Sequence, residues 1–372
     1  MATSFFRRFT KRFFLILNCI FCGIFLIACL TPFLNPSTWW FMGFMGLMVP
    51  YLALILLLWI IFWWFVRPKY SWISIITLIL GYAQLGVILA FNSPSEFNTT
   101  KQANVIRIAD WNIRSFLGVN INKERRKHIK QEITDAIVNL QPDVICLQEF
   151  NHSYTQSFSN NLALFTSIYP YYHFSKDFTR DNGSFASGSI IFSKLPFIDT
   201  GRTKYPGRYG ESLLYADVVN DGDTIRIFNT HLQSFKFNSN DYEGIEKIRS
   251  QDDETLEASK GLIRKMKLAF TRRAHQARIV KTEIYNSPHP TVIAGDFNDV
   301  PNSYTYFTIK GANKDAFLQK GFGIGRTYLS LAPTLRIDYI LPDRRFDVLQ
   351  FDMIDEGLSD HLLLVTDLQL KK

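Results

Sequence analysis

Residues 1 to 91 contain no aspartate or glutamate, and this absence constrains the chain more than any other feature. Three apolar runs fill the stretch, at 13–31, at 39–66 with Pro50 inside it, and at 72–91. Each is near or above the roughly 20 residues that cross a bilayer as a helix. The six basic residues here lie outside the runs: Arg7, Arg8, Lys11 and Arg12 precede the first, and Arg67 and Lys69 separate the second from the third. By the positive-inside rule the amino terminus and the 67–69 turn are cytoplasmic, so everything after Phe91 emerges on the opposite side. Trp39, Trp40, Trp63 and Trp64 suit interfacial belts at the ends of the second run. The expectation is a membrane anchor of about three transmembrane helices at 1–91. A rival reading takes LIAC (26–29) as a lipoprotein signal acylated at Cys29. Both leave the remainder on the same, extracytoplasmic side, and short loops with few cysteines suit a bacterial inner membrane.

Charge separates the two parts of the chain. The formal net charge of +8 invites a nucleic-acid reading, but setting aside the six basic residues of the anchor leaves 35 of 41 Lys and Arg against 33 Asp and Glu, a net of +2. The basic character is therefore mainly a topology signal. A local patch around Arg264, Lys265, Lys267, Arg272 and Arg273 reads by default as a solvated helical face. Cys146, inside the apolar run DVICLQ, is the single cysteine beyond residue 91, so no internal disulfide is expected there.

Residues 92–104 read as a polar linker, after which strand and helix patterns alternate over 105–372. Strands are expected at 105–111, 143–149, 187–193, 212–219, 224–232, 291–297, 336–342, 346–354 and 361–370, and amphipathic helices at 123–140 and 255–286. Many strands with few helices imply an α/β layered sandwich with mixed sheets. Polar residues gather where strands stop. VIAGDFNDVPNS (292–303) runs a buried strand straight into Asp296 and Asn298, which aims a carboxylate at something unless it merely caps a turn.

The succession WNI, LQE, NTHL, GDFND, RIDYI and SDH, from about Val105 to Leu370, resembles the endonuclease/exonuclease/phosphatase superfamily, in its deoxyribonuclease I and neutral sphingomyelinase branch. That resemblance implies a four-layer αββα sandwich with two mixed β-sheets and cleavage of phosphoester bonds with Mg²⁺, or Mn²⁺ in its place. It assigns Asn112 and Glu149 to the metal, with Asp360 completing or supporting that site. It places Asp296 and Asn298 at the scissile phosphate, and His361, held by Asp338, as base or phosphate stabiliser. His231 would protonate the leaving oxygen or stabilise its charge, and the base is left open between Asp296 and His361. Oxygen donors of this kind suit a hard divalent cation.

The expected function is a membrane-anchored, extracytoplasmic phosphoesterase whose partners are the lipid bilayer and a phosphoester substrate, lipid favoured over nucleic acid. An anchored endonuclease or exonuclease and a catalytically inactive adaptor are the alternatives. The segment 235–270 is longer than a minimal connection and is expected as a solvated excursion, with a lid or a membrane contact as the other options.

Overall fold

The computed structural model describes residues 2–93, 96–119, 125–156, 159–207, 211–238, 241–245 and 255–371. Two helices, α1 (Ala2–Ala28) and α2 (Met42–Val66), contain segments long and apolar enough to cross a membrane. The third expected span is not a match for them. The helix α3 (Ser71–Leu80) stops at Gly81, a single short turn follows at Tyr82–Leu85, and the chain then leaves the bundle. Glycines at 81 and 86 interrupt a run that is apolar but too broken to continue as one helix. The bundle is nonetheless three-sided, with Phe25, Leu52 and Leu56 in its buried core and Ile73 and Leu78 packed on it.

The end of the 72–91 run belongs to the soluble part. Val87 and Ala90 are buried in cores built mainly by strands. Ala90–Phe91 (β1) pairs antiparallel with Phe322–Gly323 (β11), and the carbonyl of Val87 accepts from Arg336 Nη2 at 2.7 Å. The expected linker is likewise pinned. Asn92 donates to the carbonyls of Leu318 and Gly321, Gln350 takes the Asn98 amide, and Arg107 Nη1 reaches the carbonyl of Thr99. The polar side chains and carbonyls of this stretch are hydrogen-bonding partners of the domain.

Two larger sheets stack face to face. One runs, edge to edge, β12 (Asp338–Pro342), β10 (Thr291–Asp296), β9 (Asp223–His231), β8 (Ser212–Asn220) and β7 (Phe197–Lys204), with β9 and β10 parallel and the other pairs antiparallel. The other runs β13 (Phe346–Ile354), β14 (Leu363–Leu370), β2 (Ile106–Asn112), β3 (Val144–Ser153), β6 (Phe185–Ser193) and β4 (Tyr171–Phe174), with β5 (Phe178–Arg180) also on β6. Here only β2 and β3 are parallel. Ile108 and Leu364 of this sheet meet Leu214, Ile227 and Val292 of the first in a shared core.

Helices cover the outer faces. The stripe Ile129, Ile133 and Ile137 of α4 (Arg125–Val138) packs with Leu147 and Ile190, a four-residue spacing that puts one helix face on the sheet. Ala277 and Val280 of α5 (Thr255–Tyr285) pack with Phe228 and Ile293. The result is the expected αββα sandwich with two mixed sheets. Two short helices, α6 (Tyr304–Lys310) and α7 (Ala316–Lys320), complete the side nearest the bundle.

The bundle and the sandwich are joined by specific contacts. Asn302, 1% exposed, sits between them: Thr31 donates to its carbonyl at 2.8 Å, and its amide donates to the backbone and side-chain oxygens of Gln84. Gly46 of α2 leans on the same carbonyl so closely that a Cβ there would lie 2.8 Å from it. Phe270 of α5 stacks edge-on against Phe44, and Lys267 lies over Trp40. The carboxy-terminal part of the 235–270 segment is thus a contact to the helical bundle. Residues 239–240 and 246–254 of that segment lie outside the described residues. Arg273, expected on a solvated face, is instead fully buried against Asp299.

Candidate active site

Strand register brings the motif residues together. In one sheet Asp296, the last residue of β10, stands opposite Asp338 of β12 and His231 of β9. Gly295 before it has φ +139°, and a Cβ there would lie 2.0 Å from the Thr230 carbonyl, so this position accepts glycine alone. In the other sheet Asn112 ends β2 opposite Gln148. The next residue, Glu149, sits in a register break of β3 with φ +53°. A bulge of this kind turns a side chain out of the regular alternation, and Glu149 lines the pocket as a result.

Asn112, Glu149, His231, Asp296, Asn298, Asp360 and His361 all line one pocket of about 310 Å³. Asp338 lies directly behind, its two carboxylate oxygens each 3.0 Å from His361 Nδ1. His361 Nε2 lies 3.8 Å and His231 Nε2 3.5 Å from Asp296 Oδ2. The Asn112 amide donates to the same oxygen at 3.1 Å and approaches Glu149 Oε1 at 3.4 Å. The backbone N–H of Asn298 donates to Asp296 Oδ1, and one side-chain N–H of Asn298 goes to the Leu232 carbonyl. Trp111 Nε1 and Ser359 Oγ hold the approach to His361 by donating to the carbonyls of His361 and Asn112.

Electrostatics follow from this crowding. Burial pulls the His361 imidazole down, but Asp338 and Asp296 outweigh it and push it up to about 10. Burial acts likewise on His231, where Glu211, Asp296 and Glu149 raise it to about 10. Burial and then Asp338 raise Asp296 to about 6, against the opposing pull of the two histidines. Beneath them Asp110, buried and facing Asp338 and Asp296, is held well above the usual carboxylate range and takes a hydrogen bond from Gln148.

Several functional contacts have no counterpart among the motif residues. Glu211 Oε2 lies 2.6 Å from His231 Nδ1, giving this histidine a carboxylate as Asp338 serves His361. Its signal in the sequence was slight: an acid immediately before an apolar strand, as Glu149 closes one. Arg114 faces Asp360, with Nε 3.6 Å from Oδ2. Leu47 of α2 lines the pocket together with Phe235, Phe237, Tyr242 and Leu331, a contribution only the folded bundle could reveal.

Two donor sets are available to a metal ion. Asp296, Asp338 and His361 place ligand atoms within 4.8 Å of one another, but His361 Nδ1 is already engaged by Asp338. Glu149 offers a carboxylate to the open pocket and, among the described residues, forms no ion pair with a cationic side chain, while the Asn112 Oδ1 already accepts from the Arg114 backbone N–H and has one lone pair left to give. That second set fits a hard divalent cation better. Asp360, the third expected ligand, lines the same pocket with Arg114 as its partner.

The chain matches the sequence model described as "Endonuclease/Exonuclease/phosphatase family" over residues 111–361, and residues 11–88 match a domain of unknown function. No curated protein matches it significantly. Among solved structures, an endonuclease/exonuclease/phosphatase from Beutenbergia cavernae is similar at 20% identity and TM-score 0.51, covering 72% of each chain. The human Nocturnin catalytic domain with bound sulfate anion is similar at 19% identity and TM-score 0.50, covering 73% of this chain and 97% of its own. These likenesses concern the fold.

Proposed function

Because the chain belongs to the endonuclease/exonuclease/phosphatase family and is a metal-dependent phosphoester hydrolase, we propose that it cleaves a phosphodiester in the headgroup of a membrane lipid, on the extracytoplasmic face. One observation carries the lipid reading: Leu47 lines the same pocket as Asn112, Glu149, His231, Asp296 and His361. An apolar helix of membrane length therefore borders the reacting groups. A lipid drawn partly out of the bilayer would find its phosphate at the carboxylates and its apolar neck against Leu47, Phe235 and Leu331. In this reading the helices within residues 1–86 supply the anchor, with 105–372 as the catalytic domain and the stretch from Val87 fastening one to the other.

The chemistry assigns each side chain a task. Asn112 and Glu149, with Asp360 in support, would hold Mg²⁺ or Mn²⁺, which would supply neutralisation of the phosphate charge. Asp296 orients the attacking water and takes its proton, because both neighbouring imidazoles are held cationic by their carboxylates. As the water oxygen bonds to phosphorus, the bond to the leaving oxygen breaks and His231 donates a proton to that oxygen. His361, fixed by Asp338, and the remaining amide hydrogen of Asn298 stabilise the non-bridging oxygens.

Wild type and Asp296→Asn in detergent with Mg²⁺ test this reading directly. Headgroup release from mixed phospholipid and sphingolipid vesicles and nicking of plasmid DNA are scored in one run. Release that falls by roughly 10²-fold or more in the variant and stops with chelator is the expected result. Nicking without headgroup release would overturn the lipid reading in favour of a nuclease.

A further inference from the structure

A second groove, of about 680 Å³, opens where the ends of α1 and α3 meet α5. It shares no residue with the catalytic pocket. One wall carries Arg278 and Lys281, three residues apart on α5 and so on neighbouring positions of its surface. Tyr304 and Thr308, each carrying a hydroxyl, line the same groove. The facing wall carries Phe33 and Leu80, which are 78% and 65% exposed. Among the described residues no acidic side chain lines the groove, and Glu283, the acid nearest in sequence, accepts from Thr203 instead.

Cations and hydroxyls above apolar side chains match the division of a phospholipid into phosphate and acyl chain. Basic pockets between helices at the membrane boundary take anionic headgroups on this basis. The lack of a lining carboxylate adds a discrimination, because a zwitterionic headgroup would bring its own cation beside Arg278 and Lys281 with nothing to receive it. We propose that this groove binds an anionic phospholipid of the surrounding bilayer as a bound component, separate from the lipid that is cleaved. The inference rests on the reading that α1 and α2 lie in a bilayer.

The full chain in neutral detergent is titrated with phosphatidylglycerol, phosphatidylcholine or inorganic phosphate while its melting midpoint is followed. Phosphatidylglycerol should raise the midpoint, and the other two should not. Replacing Arg278→Gln with Lys281→Gln should weaken the phosphatidylglycerol response by about 10- to 30-fold. The charge-keeping exchange Arg278→Lys with Lys281→Arg should retain it, as should Lys176→Gln with Arg180→Gln on the other sheet. Turnover of a soluble chromogenic phosphodiester should stay at the wild-type value in all three variants. An unchanged response in the double glutamine variant, or an equal response to phosphatidylcholine or phosphate, overturns the proposal. Alkaline extraction of membranes run in parallel separates the two premises. Release of the protein would sink the bilayer reading, whereas retention without lipid preference would sink the groove alone.

Discussion

His231 and His361 are built alike: each ring turns Nδ1 to a carboxylate, Glu211 or Asp338, and Nε2 to Asp296. A carboxylate behind an imidazole fixes its orientation and favours its charged form. Glu211→Gln should therefore lower kcat by about 10- to 100-fold with little change in KM, measured on a soluble phosphodiester. A wild-type kcat in that variant would remove Glu211 from the mechanism. Glu149→Gln acts on a different quantity. It should raise the Mg²⁺ concentration for half-maximal activity by about tenfold or more, and activity of the wild type should vanish with chelator and return with added Mg²⁺ or Mn²⁺. A variant with an unshifted metal requirement would move the ion to the Asp296, Asp338 and His361 set. The motif residues were legible through their succession, six short motifs in the order of a known family, because each alone could as well cap a turn or close a strand. Glu211 was not, since a single acid at a strand start is ordinary and its partner lies on the neighbouring strand.

At the scale of elements, the loop from Asp296 to Ser303 links chemistry to the bundle. Its near end carries Asp296 and Asn298, and its far end places Asn302 among Thr31, Gly46 and Gln84. Asn302→Ala leaves the oxygens of Gln84 without their buried donor, which should destabilise the full chain by about 1–3 kcal/mol. A lowered melting midpoint in detergent checks this, and an unchanged one would mean that water replaces the amide. A fragment starting at residue 105 removes β1 and the Val87 carbonyl that receives Arg336 Nη2. Arg336 is 1% exposed, so the cut strips a buried cation of one of its oxygens, and the fragment should melt lower than one starting at 87. Equal midpoints for the two fragments would show that Asp315, its other partner, suffices. The nine expected strands could be read from apolar alternation and both long apolar helices from the length of their runs, whereas β4, β5 and β7, whose residues are largely exposed, could not. The fate of residues 81–104 could not, because Val87 and Ala90 are as apolar as bilayer residues and only the sheets decide that they belong to a protein core.

For the whole molecule, the segment that joins bundle to sandwich is fastened to the domain at Val87, Ala90, Asn92 and Asn98. A long flexible tether would let an active site sample a volume of solution around its anchor. If the substrate is a lipid of the bilayer that holds the helices, as proposed, these fastenings keep the mouth of the pocket at one height above them and the reaction is two-dimensional. Its rate should follow the mole fraction of substrate in the sheet of lipid the protein occupies, rather than the amount of lipid in the tube. Proteoliposomes mixed with protein-free vesicles of the same composition, distinguished by a fluorescent label, should consume only their own lipid. An enzyme so mounted patrols one surface and leaves its neighbours untouched.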